Sequence, residues 1–385
     1  MDNKKPGYIL ILSLMLISVA IVLITSIVQQ AISYQRQARL VLDREKARTL
    51  ALGGIEIARA QLALVVPKEQ KPNKTQDKPE TKTPDKTKEE DTKMPPQQRW
   101  FRQLMALVNT WQQFSFTQKT DGIEGAIQLH ISSEQGKLAI NQLLPLLQPQ
   151  PVAQAKPVQN QAPGTKPATP NQAASNGAAV KTQETTKPLA GVLNELLAPA
   201  VGTGQFFTSI EQTKKQLGRS FEDPTELLHA KSAQSAFQDK IVLSPDKQAN
   251  KQDVYLTDLF TIHSGSGRIN PWFISSSFGN LLGFAQKKGA RSTKELVKNF
   301  KPFMQWHIAW DKLLMPIFGK SYASLPKEIT ALFSLQFEAT AFFVISYGTV
   351  GGITQKVAAL LEKDTVPEEL SPQSAIFKIT KLYWL

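Results

Sequence analysis

Tyr8-Ile-Leu-Ile-Leu-Ser-Leu-Met-Leu-Ile-Ser-Val-Ala-Ile-Val-Leu-Ile-Thr-Ser-Ile-Val28 carries no charged residue. Hydrocarbon offers a backbone amide no hydrogen-bond partner, so an apolar run of about 20 residues crosses a bilayer only as a helix that satisfies its own amides. Residues 8–28 meet that length. Asp2-Asn3-Lys4-Lys5-Pro6-Gly7 precedes them, and Lys4 with Lys5 favours keeping this stub in the cytoplasm while the rest is sent outward.

The residues that follow argue against a cleaved secretory signal. Ser33-Tyr34-Gln35-Arg36-Gln37-Ala38-Arg39 contains no small-x-small site, and the apolar core is too long for one. Leu42, Ala47, Leu50, Ala51, Ile55, Ala58 and Leu62 keep helical spacing, with charged residues between them, until Pro67 stops the pattern. The spacing predicts one helix over residues 8–65, roughly 85 Å long, apolar in its first half and amphipathic in its second.

The chain has 385 residues, enough for one or two compact domains beyond the helix. It has no cysteine, which excludes disulfides and thiolate chemistry. The net charge of +13 is scattered or lies in linkers, without interleaved aromatic residues, so no nucleic-acid partner is expected. Residues 66–97 and 148–188 are rich in Lys, Pro, Gln, Thr and Ala and poor in apolar residues, and read as two flexible linkers.

Between the linkers, Trp100, Leu104, Leu107, Val108 and Trp111 space like one face of a short helix. Residues 123–131 and 137–141 flank the turn-like Ser132-Ser133-Glu134-Gln135-Gly136 and read as a β-hairpin, followed by a helical stretch at 142–147. Short helices are expected at 192–197, 210–217 and 223–228, the last with Asp223 as N-cap and Pro224 at its first position. Residues 256–263 read as a strand ending at Ser264-Gly-Ser-Gly267, and Gly-Arg-Ile-Asn270 then repeats Gly-Lys-Leu-Ala-Ile-Asn141 in outline. Trp306, Trp310, Leu313, Leu314 and Ile317 lie at the core spacing of helices. Residues 341–347, 353–361 and 375–384, separated by turn signals, read as a three-stranded antiparallel meander.

A basic stub ending in Gly7, then Tyr8 opening a long helix that turns amphipathic, resembles the N-terminus of type IV pilins and pseudopilins. The resemblance implies cleavage by a prepilin peptidase after Gly7, leaving Tyr8 as the new N-terminus. Tyr8 departs from the usual phenylalanine or methionine. Leu12 stands where most members carry a glutamate, the residue thought to pair with the neighbouring subunit's free amine. The member regularly lacking that acid is general secretion pathway protein K, a minor pseudopilin of type II secretion. Several stretches are similar to that family: Ala51-Leu-Gly53-Gly54-Ile-Glu56, the Glu134, Gly136 and Asn141 pattern, Phe221-Glu-Asp-Pro-Thr-Glu-Leu-Leu228, Gly267 with Asn270, and Phe343-Val-Ile-Ser-Tyr-Gly348-Thr-Val-Gly351-Gly352. Leu143 and Trp272-Phe273 depart from the family's asparagine-containing patterns.

The resemblance implies an α+β chain: a long transmembrane and amphipathic helix, then a pilin-like antiparallel sheet interrupted by helical, SAM-like insertions. The expected organisation is a leader at 1–7, the helix at 8–65, the start of the periplasmic domain at 98–147, a first helical insertion at 189–255, a strand and second helical insertion at 256–335, and closing strands at 336–385. The function implied is a minor pseudopilin at the tip of a type II secretion pseudopilus, with other minor pseudopilins, prepilin peptidase and inner-membrane lipid as partners. A minor pilin of a type IV pilus or DNA-uptake system shares the same logic, and an uncleaved membrane-anchored periplasmic scaffold is the rival of another class.

No enzyme is expected. His130, His229, His263 and His307 lie far apart, without zinc-site or triad spacing, and Ser275 to Ser277 lacks a nucleophile elbow. Gly202 and Gly204 lack the strand and lysine of a phosphate loop and read as a plain loop. No cofactor is expected beyond the calcium that some protein K relatives bind. No EF-hand-type loop occurs, and Glu222, Asp223 and Asp246 stand equally as ligands or as solvated carboxylates.

Overall fold

The computed structural model describes residues 6–65, 103–147, 188–202, 205–245, 253–263, 267–284, 310–334, 339–364 and 377–385. Both expected linkers, apart from Pro188, lie outside these residues, as do Trp100, Asp246, Trp306 and His307. The class is α+β, as expected, with a long apolar N-terminal helix and an antiparallel sheet. Helix α1 runs without a break over Pro6–Val65, 60 residues. The strands are β1 (Trp111–Phe116), β2 (Gly125–Ser133), β3 (Leu138–Ala139), β4 (Phe260–Thr261), β5 (Ala341–Val350), β6 (Ile353–Lys363) and β7 (Phe377–Trp384).

The chain divides into two compact units, the first comprising Met1–Glu134, Gly289–Lys301 and Glu338–Leu385. It holds α1 and a five-stranded sheet in the order β1-β2-β5-β6-β7, antiparallel throughout. Strand β5 is central and buried almost end to end, which suits its near-continuous apolar run. It turns into β6 through Gly351 and Gly352, at φ 56° and 82°, between the paired Val350 and Ile353. A two-residue hairpin loop with both φ values positive follows the right-handed twist of its strands, and glycine adopts it without strain.

Helix α1 meets this sheet through Ala47, Leu50, Ala51, Gly54, Ile55, Ala58 and Leu62, all buried at helical spacing. Leu42 fits the same period but is 53% exposed, because it lies before the packed segment begins. Helix and sheet come closer than two layers of side chains would allow. A Cβ on Gly54 would overlap the Ser346 hydroxyl and sit 3.0 Å from Ile127 Cγ2. One on Gly348 would overlap the Ala47 carbonyl and sit 2.5 Å from the Ala51 amide nitrogen. At the sheet's rim, Arg48 lies over the Trp384 ring, 4.3 Å from its centroid.

The structure departs from the expected elements at three places. Residues 137–141 do not return along β2: β2 pairs with β1 on one side (Trp111 with His130) and β5 on the other (Ile131 with Val344), so neither edge is left. The chain instead leaves β2 through the 3-10 turn Glu134–Gly136, and β3 pairs in parallel with β4. Trp111 opens β1 and does not close a helix. The helical residues 103–107 end at Asn109, which takes φ 59° and donates its amide to the Ile131 carbonyl at 2.7 Å. Residues 256–263 are strand only at β4, because the Leu259 amide donates to the Tyr255 carbonyl at 2.9 Å and closes one helical turn over Leu256–Leu259.

The second unit, Gln135–Lys288 with Pro302–Phe337, enters the chain between β2 and β5. Its helices include α2 (Ile140–Leu147), α3 (Leu189–Val201), α4 (Phe206–Leu217) and α5 (Lys231–Phe237). Pro224–His229 forms a 3-10 helix capped by Asp223, whose carboxylate accepts the Thr225 amide at 2.7 Å. Phe206 stacks on Phe260 at 5.7 Å between centroids, with Phe237 edge-on to both. A separate cluster places Trp310 against Phe284, Phe318 and Phe333. Trp310 and Leu314 are buried as their spacing predicts, and Ile317 is half-buried. Arg219 donates from both terminal nitrogens to Glu226, at 2.7 and 3.2 Å, and the Glu222 amide donates to the same carboxylate at 2.9 Å. The Arg219 guanidinium and that amide hold the Glu226 carboxyl below its usual range.

The neighbouring glycines of α1 are expected to respond with opposite signs. Gly54→Leu drives a side chain into Ser346 and Ile127 and is expected to lower stability by about 3 kcal/mol. A Cβ on Gly53 meets nothing within 4 Å, so Gly53→Ala is expected to add about 0.5–1 kcal/mol. Thermal unfolding of the full chain in detergent checks both. A second expectation concerns pH. Because folding lowers the Glu226 pKa, its contribution is complete above the unfolded value and is lost as pH falls through the folded one, in a window below about 4. Melting at pH 6 and pH 3 is therefore expected to show a smaller acid loss for Glu226→Gln than for the unmodified chain.

Candidate functional surface

Among the described residues, most of the exposed large apolar side chains lie in the first half of α1. Every side chain described between residues 8 and 42 is exposed, including Tyr8 at 68% and Leu12 at 49%. For a run so apolar, full exposure to water is unfavourable at about 25 cal/mol per Å2, so the surface demands an apolar neighbour. Three hydroxyls within it are satisfied by the helix itself. Ser13, Ser18 and Thr25 donate their hydroxyls to the carbonyls of Leu10, Leu14 and Ile21, at 2.9, 2.8 and 2.8 Å. With its backbone helical and these three hydroxyls turned back on the helix, the segment meets the condition for entering hydrocarbon. It is long and apolar enough to cross a membrane.

The positions singled out in the sequence fall at four places. Gly7, Tyr8 and Leu12 lie in the first turns of α1. Gly54 and Gly348 face the same contact from opposite partners, helix and β5, while Gly53 stands beside it in open space. Glu56 is exposed and pairs with Arg59 at 2.6 Å, one turn further on. Gly351 and Gly352 make the β5–β6 turn, and a Cβ on Gly351 would lie 2.6 Å from an Asp43 carboxylate oxygen.

The fourth place is in the second unit, where the two repeats of the Gly-to-Asn pattern meet. The Asn270 amide donates to the Gln135 carbonyl at 2.6 Å, and the Ser275 amide to the Gly136 carbonyl at 3.1 Å. Gly136 is pressed on the Phe273 carbonyl, and Gly267, at φ 67°, on the Gln142 side chain, so neither position admits a Cβ without a shift. Asn141 accepts the Phe221 amide at 3.0 Å and donates to its carbonyl at 2.8 Å, which ties the Phe221–Leu228 stretch to the first repeat. Asn270 also accepts the Trp272 amide at 3.0 Å and caps the turn at Pro271–Phe273. Glu134, in the first unit, is buried at the start of its 3-10 turn.

Sequence reasoning missed the residues that answer these positions. Ser346, buried opposite Gly54, is one; small residues alternating at 346 and 348 in an otherwise bulky strand were the available signal. Lys137, 1% exposed, donates to the Thr257 carbonyl at 2.8 Å. Asp258, also buried, accepts the Ser277 amide at 2.7 Å, and the Ser277 hydroxyl accepts the Tyr255 amide at 2.9 Å.

Among the described residues no group of three His, Asp or Glu side chains is placed to hold a metal ion. Glu222 lies 3.5 Å from Arg219, and Asp223 is engaged in capping. His130 is buried with its ring 5.0 Å from that of Trp111, His263 is half-buried and His229 exposed. Gly202 caps α3 at φ 74°.

No family model matches the chain, and neither does any curated protein. Among solved structures it is similar to a chain of the GspK-GspI-GspJ complex from the enterotoxigenic Escherichia coli type 2 secretion system. The two are 12% identical, the likeness spans 91% of this chain and 99% of the other, and the TM-score is 0.40. A likeness of that size decides neither fold nor function.

Proposed function

We propose that this chain is a non-enzymatic assembly subunit, a minor pseudopilin of the general secretion pathway protein K kind. What supports the reading is one observation above the rest: a single helix whose charge-free half is uncovered and whose other half is seated on an antiparallel sheet through Gly54 and Gly348. In this reading a prepilin peptidase cuts after Gly7, and residues 8–28 hold the subunit in the inner membrane with residues 98–385 in the periplasm. Other minor pseudopilins pack on residues 8–65. Leu12 supplies no carboxylate to a neighbour's amine, and an unpaired ion in hydrocarbon is expensive, so the subunit starts or caps a filament and does not extend one.

Co-expression with a prepilin peptidase tests the cleavage. The expected outcome is a mobility shift with Tyr8 as the new first residue, abolished by Gly7→Val; an unshifted chain would point to an uncleaved anchored scaffold. Leu12→Glu tests position. It is expected to admit the subunit within filaments and to reduce secretion, whereas unchanged tip placement would remove any role for the missing acid. The same variant assayed for pilus assembly or DNA uptake separates a minor pilin from a secretion subunit.

A further inference from the structure

The charges around the uncovered helix are arranged by sign as well as by distance. Between Asp2 and Asp43 the only charged residues are Lys4, Lys5, Arg36 and Arg39. Residues 6–35 separate the two basic pairs and span about 45 Å as a helix. That is the thickness of a bilayer with its headgroups, about 40–45 Å. Tyr8 and Tyr34, 68% and 70% exposed, stand just inside the two ends, where amphipathic rings settle at the headgroup level.

Arg36 and Arg39 are three residues apart and so share a face of α1, and both are exposed. Neither makes an ion pair with another described residue. Asp43, the first acid beyond them, is packed toward the Gly351 turn. Cations on the outward side also oppose the charge bias that orients the span, so their position calls for a local anionic partner. A guanidinium presents paired donors that match the oxygens of a phosphodiester.

We propose that Arg36 and Arg39 bind the anionic phospholipid headgroups of the outward leaflet and thereby fix the depth of α1. This rests on the membrane crossing proposed above. From Arg39 the helix climbs about 12 Å to Ala47, where packing on the sheet begins, so the arginines set the height of the first unit above the lipid.

The chain has no cysteine, so an introduced thiol is its only one. Full-length Gln37→Cys, Ser18→Cys and Thr49→Cys chains are reconstituted in phosphatidylcholine vesicles, with or without phosphatidylglycerol, and labelled with an uncharged, membrane-impermeant maleimide. Phosphatidylglycerol is expected to slow labelling of Gln37→Cys about three-fold and to leave Thr49→Cys unchanged. The slowing is expected to vanish when Arg36→Gln and Arg39→Gln are added, and inorganic phosphate with phosphatidylcholine alone is expected not to reproduce it. A Gln37→Cys rate insensitive to phosphatidylglycerol, or equally slowed without the arginines, or slowed by free phosphate, overturns the headgroup site while Ser18→Cys stays protected. Labelling of Ser18→Cys as fast as Thr49→Cys overturns the membrane crossing beneath it.

Discussion

The first unit depends on how closely a helix backbone approaches a strand. At Gly54 and Gly348 one side of the contact gives up its side chain so that the other can enter, and Ala47, Ala51 and Ala58 keep the rest of the seam narrow. Larger residues, Leu50, Ile55 and Leu62, flank the seam and exclude water, each contributing about 1.5–3 kcal/mol of burial. Directional fit comes from the small residues and adhesion from the large ones. The seam holds the second half of α1 against the sheet and leaves the first half clear of it, which is the geometry any membrane or filament role requires.

The second unit solves a different problem, that of holding many short elements together without disulfides. It does so with backbone-directed polar groups: Asn141 on Phe221, Lys137 on Thr257, Asp258 on Ser277 and Asn270 on Trp272. Enclosed polar side chains are tolerable only when paired, and each of these finds a main-chain partner. Two aromatic clusters, around Phe206 and around Trp310, supply the apolar content.

What could be read from the sequence was local. The absence of charge over residues 8–28, the helical period beyond it, the Asp223-Pro224 cap and the Gly351-Gly352 turn each carry their own structural instruction. Partner choice was not local. Alternating apolar residues mark residues 123–131 as a strand, but nothing in that alternation says that the strand runs on through Ser133 or that its neighbour is Val344 and not Leu138. Residues 256–259 look extended by composition but form one helical turn: the Leu256 and Thr257 amides donate to the Lys240 and Ile241 carbonyls, and the Leu259 amide closes the turn on Tyr255. The glycines at 136 and 267 were visible as motif positions; that they belong to loops pressed against the Phe273 carbonyl and Gln142 needed the fold.

The pairing of β2 with β5 has a consequence for the order of events in folding. Ser132 donates to the Phe343 carbonyl across 211 residues of chain, the length in which the whole second unit is encoded. As the chain emerges from N to C, β1 and β2 can pair early, but the far edge of β2 stays open until β5 arrives. The second half of α1 waits equally long, since the groove beside Gly348 that receives it is among the last segments made. A slow, non-local closure of this kind favours an insertion that folds by itself in the interval, because a compact unit brings its two ends together and shortens the search that remains.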